Sequence, residues 1–274
     1  MSGNDAQIEY WNGQAGQTWV NAQERMDEML GGLSATTIGR AYPQPGERAI
    51  DVGCGCGATS IALAQQGPSV WGIDISEPML ARAKQRAAGL DNVQFSQVDA
   101  ATASFSADHQ LIFSRFGVMF FADPVAAFSN LSSALAPGGR LVFLCWQAAA
   151  ANAWVALAGR AVQPFLPVPE SPPDPKAPGP FAFADPDYVR SILESAGFSD
   201  IHCDPVTAEL NIGASLDEAV AFQGEIGPVA RVLAELDDEL KAQALTAARE
   251  ALLPHVNESG VILGAACWLV SARV

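Results

Sequence analysis

Ala49-Ile-Asp-Val-Gly-Cys-Gly-Cys-Gly57 is a short apolar run that breaks into three glycines spaced two apart. An apolar segment of four or five residues that ends in glycines, with a helical pattern over 58–65 behind it, reads as the first strand, turn and helix of a βαβ unit. Glycines there let a ligand approach the backbone at the carboxyl end of the strand, beside a helix N-terminus.

Working outward, the alternation continues. Val70–Ile75 reads as a second strand and Glu77–Ala88 as a second helix, with Pro78 tolerated in its first turn. Val93–Val98 and Gln110–Ser114 are a third and a fourth strand. Asp123–Leu135 is a helix with Val125, Phe128, Leu131 and Leu135 on one face, stopped by Pro137-Gly138-Gly139. Arg140–Trp146 is a fifth strand. Such alternation calls for a parallel sheet covered on both faces, with right-handed crossovers. Later segments read as a helix over Pro186–Ala196, a sixth strand over Asp200–Leu210, two helices within Asp217–Leu253 broken near Gly227-Pro228, and a last strand over Ala265–Ala272. The N-terminal block reads as helical from about Ala15, with Trp19, Val20, Met26, Met29 and Leu30 as its apolar positions.

Pro164–Pro186 contains nine of the chain's 18 prolines, which excludes helix and central strand. A loop of that length fits a lid better than a linker. The expected organisation is an N-terminal helical cap at 1–45 and one domain at 46–274, with cap insertions at 147–185 and 211–262.

Composition narrows the function. The chain has 274 residues, 15 Lys+Arg against 30 Asp+Glu, and a net charge of −15. A surface this acidic is a poor partner for nucleic acid, which requires cations to displace phosphate counterions. An apolar content of 49% excludes general disorder, and no apolar run approaches the ~20 residues of a membrane span. The first residues lack the basic and apolar regions of a signal peptide. The five cysteines are too scattered for a disulfide framework, so a cytoplasmic location is expected.

Gly53, Gly55 and Ala58 match the dinucleotide turn pattern. Asp51 sits beside that turn, where a carboxylate repels pyrophosphate and suits a cationic ligand. Asp74, at the end of the second strand, is placed to accept from both ribose hydroxyls, and Asp99-Ala100 from an exocyclic adenine amine. The turn taken alone leaves a nicotinamide-dependent oxidoreductase open.

Together these residues resemble the class I S-adenosylmethionine-dependent methyltransferases. Asp51-Val-Gly-Cys-Gly-Cys-Gly57 is similar to the family's first motif, Asp74 to its ribose carboxylate and Asp99 to its adenine-side carboxylate. Leu135-Ala-Pro-Gly-Gly-Arg140 also looks like this family. Tyr10-Trp11-Asn12 with Trp19 resembles the small-molecule, quinone-methylating group, in which an N-terminal helix packs over the cofactor. The resemblance implies a Rossmann-like, doubly wound, seven-stranded sheet with the last strand antiparallel between the fifth and sixth. It implies S-adenosyl-L-methionine as cofactor and S-adenosyl-L-homocysteine as product. The cofactor would be held by Trp11, Trp19, Asp51, Gly53, Cys54, Gly55, Asp74, Ile75, Met79, Asp99, Ala100 and Ser114. A protein that binds the cofactor without turning it over also satisfies these motifs.

The reaction implied is methyl transfer to an oxygen, nitrogen or carbon nucleophile of a small acceptor. Phe116, Met119, Phe120, Trp146, Trp154, Phe165, Phe181 and Phe183 supply apolar surface for an aromatic or lipophilic one. Arg115, Phe116 and Trp146 are the expected acceptor contacts. No general base stands out; His202, Glu225 and Arg115 are the candidates for a catalytic part. The Cys54-x-Cys56 spacing suggests metal, but no second pair of ligands accompanies it, so no metal is expected.

Overall fold

The computed structural model describes residues 4–167 and 174–274. The chain begins with three helices, α1 (Asp5–Asn12), α2 (Gln14–Asn21) and α3 (Gln23–Ala41). There follow β1 (Arg48–Val52), α4 (Ala58–Ala64), β2 (Ser69–Asp74), α5 (Glu77–Arg86), β3 (Val93–Gln97), β4 (His109–Arg115), α6 (Pro124–Ala134) and β5 (Leu135–Trp146). The second half holds α7 (Ala153–Val162), α8 (Pro186–Ser195), β6 (Ser199–Asn211), α9 (Leu216–Glu225), α10 (Gly227–Leu233), α11 (Asp238–Leu252), β7 (Val256–Asn257) and β8 (Gly260–Arg273).

The strands form one sheet in the order β3-β2-β1-β4-β5-β8-β6. β1 to β5 pair in parallel, and β8 runs antiparallel to both β5 and β6. This is the doubly wound sheet the alternation calls for, with the last strand inserted antiparallel. Chain direction across the sheet reverses between β1 and β4, which opens a crevice at their carboxyl ends.

Burial on both faces explains why the central strands are near-continuous apolar runs. Ile50, Leu111, Ile112, Phe113, Phe143 and Leu144 are fully enclosed. They share one core with Met26, Leu30 and Leu33 of α3, and with Phe128 and Leu131 of α6. α3 therefore belongs to the helical layer of the sheet. Among the described residues no helix is long and apolar enough to cross a membrane.

Several expected boundaries shift. Helix begins at Asp5 rather than near Ala15, because α1 buries no residue of its own and is held by tertiary hydrogen bonds that leave no apolar period. β5 starts at Leu135, which pairs with His109 before a register shift carries the strand past the Pro-Gly-Gly segment. The segment 217–253 holds three helices, since Asp237 caps a new one by accepting from the Leu240 N–H at 2.9 Å. β8 begins at Gly260, and its early residues pair with the end of β6 and with β7, an eighth strand beyond the expected seven. Within the proline-rich loop, residues 168–173 lie outside the described residues.

Candidate active site

The turn after β1 takes a left-handed path at Gly53 (φ 66°), Gly55 (φ 52°) and Gly57 (φ 82°). Gly53 is required sterically as well as by its φ, whereas Gly55 is favoured chiefly by its φ. A Cβ on Gly53 would lie 2.6 Å from the Gly117 Cα, and one on Gly55 would lie 2.8 Å from Met79 Cε. The turn is pinned to β2: the Gly53 and Cys54 N–H groups both donate to the Ile73 carbonyl, at 2.9 and 3.1 Å.

Asp74 braces the same turn. Its Oδ2 accepts from the Gly55 N–H at 2.8 Å and its Oδ1 from the Ser76 N–H at 2.9 Å. Burial pushes the Asp74 carboxyl above its ordinary value, and these backbone donors hold it back. Each carboxylate oxygen has a second lone pair left for a ligand hydroxyl. Asp99 accepts from the Ala101 N–H at 2.9 Å and faces the same cavity.

Asp51 is fully buried under the turn. Its Oδ2 accepts from Thr59 Oγ1 at 2.7 Å and from Ser60 Oγ at 2.6 Å. Its Oδ1 has no partner among the described residues. Burial raises this carboxyl to about 6 despite the two hydroxyls and the nearby Arg115.

A cavity of about 200 Å³ runs along the carboxyl ends of the strands. Trp11, Trp19, Gly53, Cys54, Gly55, Asp74, Ile75, Met79, Asp99 and Ala100 line one end of it; Arg115, Phe116, Met119, Phe120, Trp146 and Trp154 also reach it. Trp11 meets Trp19 edge-on at 6.1 Å and Phe120 at 5.3 Å. Phe116, a non-glycine residue at φ 64°, stacks on Trp146 at 4.1 Å and 9°, and Trp146 tilts against Trp154 at 5.1 Å. A left-handed phenylalanine is strained, and such strain concentrates where a side chain is aimed for function.

Other expected residues lie off the cavity wall. Asp51 is sealed below the turn. Ser114 is enclosed too: its Oγ donates to the Val52 carbonyl at 2.8 Å and accepts from the Gly117 N–H at 3.2 Å. Its role is to fasten the β4 loop against β1. His202 is exposed on β6, 3.1 Å from Asp200. Glu225 ends α9, and the wall begins at its neighbour Ile226. Phe165 and Phe181 pack around the core, and Phe183 is buried in it with Phe128 and Phe143.

The structure adds residues that carry no local sequence signal. Asn12 Nδ2 donates to the Ile75 carbonyl, and the Ser76 hydroxyl donates to the Trp11 carbonyl at 2.7 Å. Asp27 of α3 lines the cavity while accepting from Arg86 at 2.6 Å and from Gln23 at 2.7 Å. Met26, Met29 and Leu30 of α3, with Phe222 and Pro228 of the later helices, complete the wall.

Burial disfavours the thiolate form of both thiols near the turn. Burial pushes Cys54 well up and Cys56 to about 11. Among the described residues no group of three or more His, Cys, Asp or Glu side chains is placed to hold a metal ion.

Comparison with known proteins bears on this geometry. Residues 49–139 match the family described as "Methyltransferase domain". This segment resembles a methyltransferase domain and makes up about a third of the chain. It runs from β1 through the glycine turn, Asp74, Asp99 and Arg115 to the start of β5, so it holds most of the polar wall. A demethylmenaquinone methyltransferase of Clavibacter sepedonicus is 38% identical over 101 residues, covering 36% of this chain and 41% of that one. Aklanonic acid methyltransferase DauC of Streptomyces sp. (strain C5) is 35% identical over 127 residues, covering 42% and 58%. The chain spans about half the length of the curated relatives it matches. Among solved structures, phosphoethanolamine N-methyltransferase 2 of Haemonchus contortus, in complex with phosphomonomethylethanolamine and S-adenosylhomocysteine, superposes with a TM-score of 0.61. It is 18% identical and covers 100% of this chain and 60% of that one, a likeness of fold.

The residues of the matched segment fit S-adenosyl-L-methionine. The turn is a cradle that a Cβ would fill at Gly55. Asp74 keeps free lone pairs on the cavity wall that can accept from ligand hydroxyls. The buried, half-partnered Asp51 favours a ligand carrying positive charge over one carrying pyrophosphate.

Proposed function

We propose that the chain transfers a methyl group from S-adenosyl-L-methionine to a small aromatic or lipophilic acceptor. One observation carries this reading: the glycine turn with Asp74 and Asp99 opens into the same cavity as the Phe116–Trp146–Trp154 aromatic wall. The bound cofactor would supply an electrophilic methyl on a positive sulfur. Trp11 and Trp19 offer aromatic edges and faces near that charge, where cation–π attraction contributes about 0.5–2 kcal/mol.

The protein's own contribution is alignment. Holding acceptor and methyl in line is worth roughly 7–11 kcal/mol, more than a general base adds. α1 and α2, the segment after β5, α9 and α10 act as the cap that excludes water. The curated relatives, named for demethylmenaquinone and aklanonic acid, support a fused-ring acceptor, and the flat stacked rings of Phe116 and Trp146 suit one.

Calorimetry with S-adenosyl-L-homocysteine, followed by a labelled-methyl screen of quinols, phenols, aromatic acids and amines, tests the reading. Micromolar binding and turnover of at least one aromatic acceptor are expected. Binding of NADH in place of S-adenosyl-L-homocysteine would overturn it, and binding without turnover of any class would leave a sensor rather than an enzyme.

A further inference from the structure

Arg115 is the one cationic side chain on the cavity wall among the described residues. It ends β4, the strand between β1 with its glycine turn and β5 with Trp146. Register places it further. Asp51 pairs with Phe113, and Arg115 with Leu144. Alternation along the strands then puts Asp51, Arg115, Leu144 and Trp146 on one face of the sheet. That face is covered by α3, whose Ser34 Oγ accepts from Arg115 Nη1 at 2.7 Å.

This guanidinium is under-partnered. It carries five N–H donors. Apart from Ser34 no acceptor engages it, and no carboxylate lies within ion-pair distance among the described residues. The charged and titratable groups around it are otherwise committed. Asp27 holds Arg86 and Gln23, Arg86 donates to the Cys56 carbonyl as well, and Asp51 accepts from Thr59 and Ser60. Burial lowers the Arg115 pKa, and the nearby carboxylates offset this only in part. A desolvated cation with free donors is stabilised by an oxyanion that accepts from its planar fork.

The same wall offers no base. Its titratable groups are Asp27, Asp74, Asp99, Cys54, Cys56 and Arg115; no His, Lys, Glu or Tyr reaches it among the described residues. Asp27 is paired with Arg86, Asp74 and Asp99 accept from backbone N–H groups that favour their ionised, acceptor-only form, and burial pushes both thiols up. An acceptor in this cavity meets no side chain whose ordinary pKa suits it to take a phenolic proton near neutral pH.

Building on the methyl-transfer reading, we infer that Arg115 is the receptor for an oxyanion on the acceptor. The substrate is then an aromatic acid, a carboxylic acid or an acidic phenol, bound already ionised. The acceptor oxygen supplies the electron pair of the new C–O bond, the pair of the broken C–S bond stays on sulfur, and no proton moves. Methylation also neutralises the group that Arg115 grips, which favours product release.

The probes are 2-naphthoate and its neutral isostere 2-naphthamide, titrated calorimetrically with and without saturating S-adenosyl-L-homocysteine. The wild-type protein is expected to prefer the anion at least tenfold. Arg115→Met should abolish the preference, and Arg115→Lys should keep part of it while melting near wild type. If Arg115→Met does not fold, the Lys variant decides, by an intermediate preference. Equal binding of the two probes by the wild type would overturn the inference. So would a Met variant that keeps the preference and instead loses S-adenosyl-L-homocysteine affinity, which would assign the guanidinium to the amino-acid end of the cofactor. A wild type that ignores S-adenosyl-L-homocysteine would sink the methyl-transfer reading alone, since the naphthoate pair still reports on the arginine.

Discussion

Asn12 and Ile75 join the N-terminal helices to the floor of the cavity: the Asn12 amide donates to the Ile75 carbonyl at 2.9 Å, while its Oδ1 accepts from the Glu77 N–H at 2.9 Å. One side chain thereby satisfies a loop carbonyl and an orphan N–H at the start of α5. α1 buries no residue, and its other ties are the Ser76 hydroxyl on the Trp11 carbonyl and the ring contacts of Trp11 and Tyr10. Asn12→Ala should therefore undock α1 with a small loss of global stability. The expected result is a melting temperature within a few degrees of wild type, faster proteolytic cleavage near residue 12, and several-fold weaker binding of S-adenosyl-L-homocysteine as Trp11 leaves the wall. An unchanged affinity would show that α1 does not shape the site.

Gly53 tests the turn. Alanine there must hold φ 66° and place its Cβ 2.6 Å from a backbone atom of Gly117, which cannot swing away. Left-handed strain and overpacking together cost about 2–4 kcal/mol. Gly46 is a control with a similar φ of 85° and open space around it. Gly46→Ala should lose about 1 kcal/mol, and Gly53→Ala several times that. Chemical denaturation of the two variants measures the difference; equal losses would mean that the Gly53–Gly117 approach is not a constraint.

How legible each part was follows from range. The glycine turn, Asp74 and Asp99 could be read because strand, turn and acid lie within one βαβ unit, where spacing dictates placement. The antiparallel β8 was legible from the resemblance. α1 was not: it is held by Asn12 and Trp11 reaching residues 63–65 positions away, and no periodicity records that. Asp27 was invisible for the same reason, its partner Arg86 being 59 positions on. Ser114 and Asp51 show the reverse limit. Their positions in the motif were plain, but only the fold reveals that both point inward, away from the cavity.

A bidentate ion pair anchors the other end of α3. Arg140 Nη1 and Nη2 donate to the two carboxylate oxygens of Glu47 at 2.8 and 2.7 Å, and Arg140 Nε donates to the Ala41 carbonyl at 2.7 Å. These bonds hold the Glu47 carboxyl below its ordinary value of 4.5. Its contribution is thus present at neutral pH and is lost as pH falls below the unfolded value. Glu47→Gln should lower stability by about 1–2 kcal/mol at pH 7, and the gap to wild type should close as pH drops towards 4 and below. A gap independent of pH would show that packing, not charge, is what Glu47 supplies.

Asp51 points the opposite way in pH. Its folded-state pKa is raised from 3.8 to about 6, because the fully buried carboxylate has only one of its two oxygens partnered. Between those values the folded protein binds more protons than the unfolded chain, so stability contributed by this group falls as pH rises through about 4 to 6 and stays low above. Two pK units at about 1.4 kcal/mol each set a ceiling near 3 kcal/mol. Asparagine keeps the shape and removes the charge, while Thr59 and Ser60 can turn their hydroxyls to suit it. Asp51→Asn should therefore raise the melting temperature of the ligand-free protein at pH 8, by an amount equivalent to about 1–2 kcal/mol, and change it little at pH 4. The same substitution should weaken S-adenosyl-L-homocysteine binding, because a buried carboxylate that destabilises the empty protein is compensated when a positively charged ammonium comes to rest above it. A variant that melts lower at pH 8, or binds S-adenosyl-L-homocysteine as tightly as wild type, would mean that Asp51 is a structural acid whose cost is met within the turn.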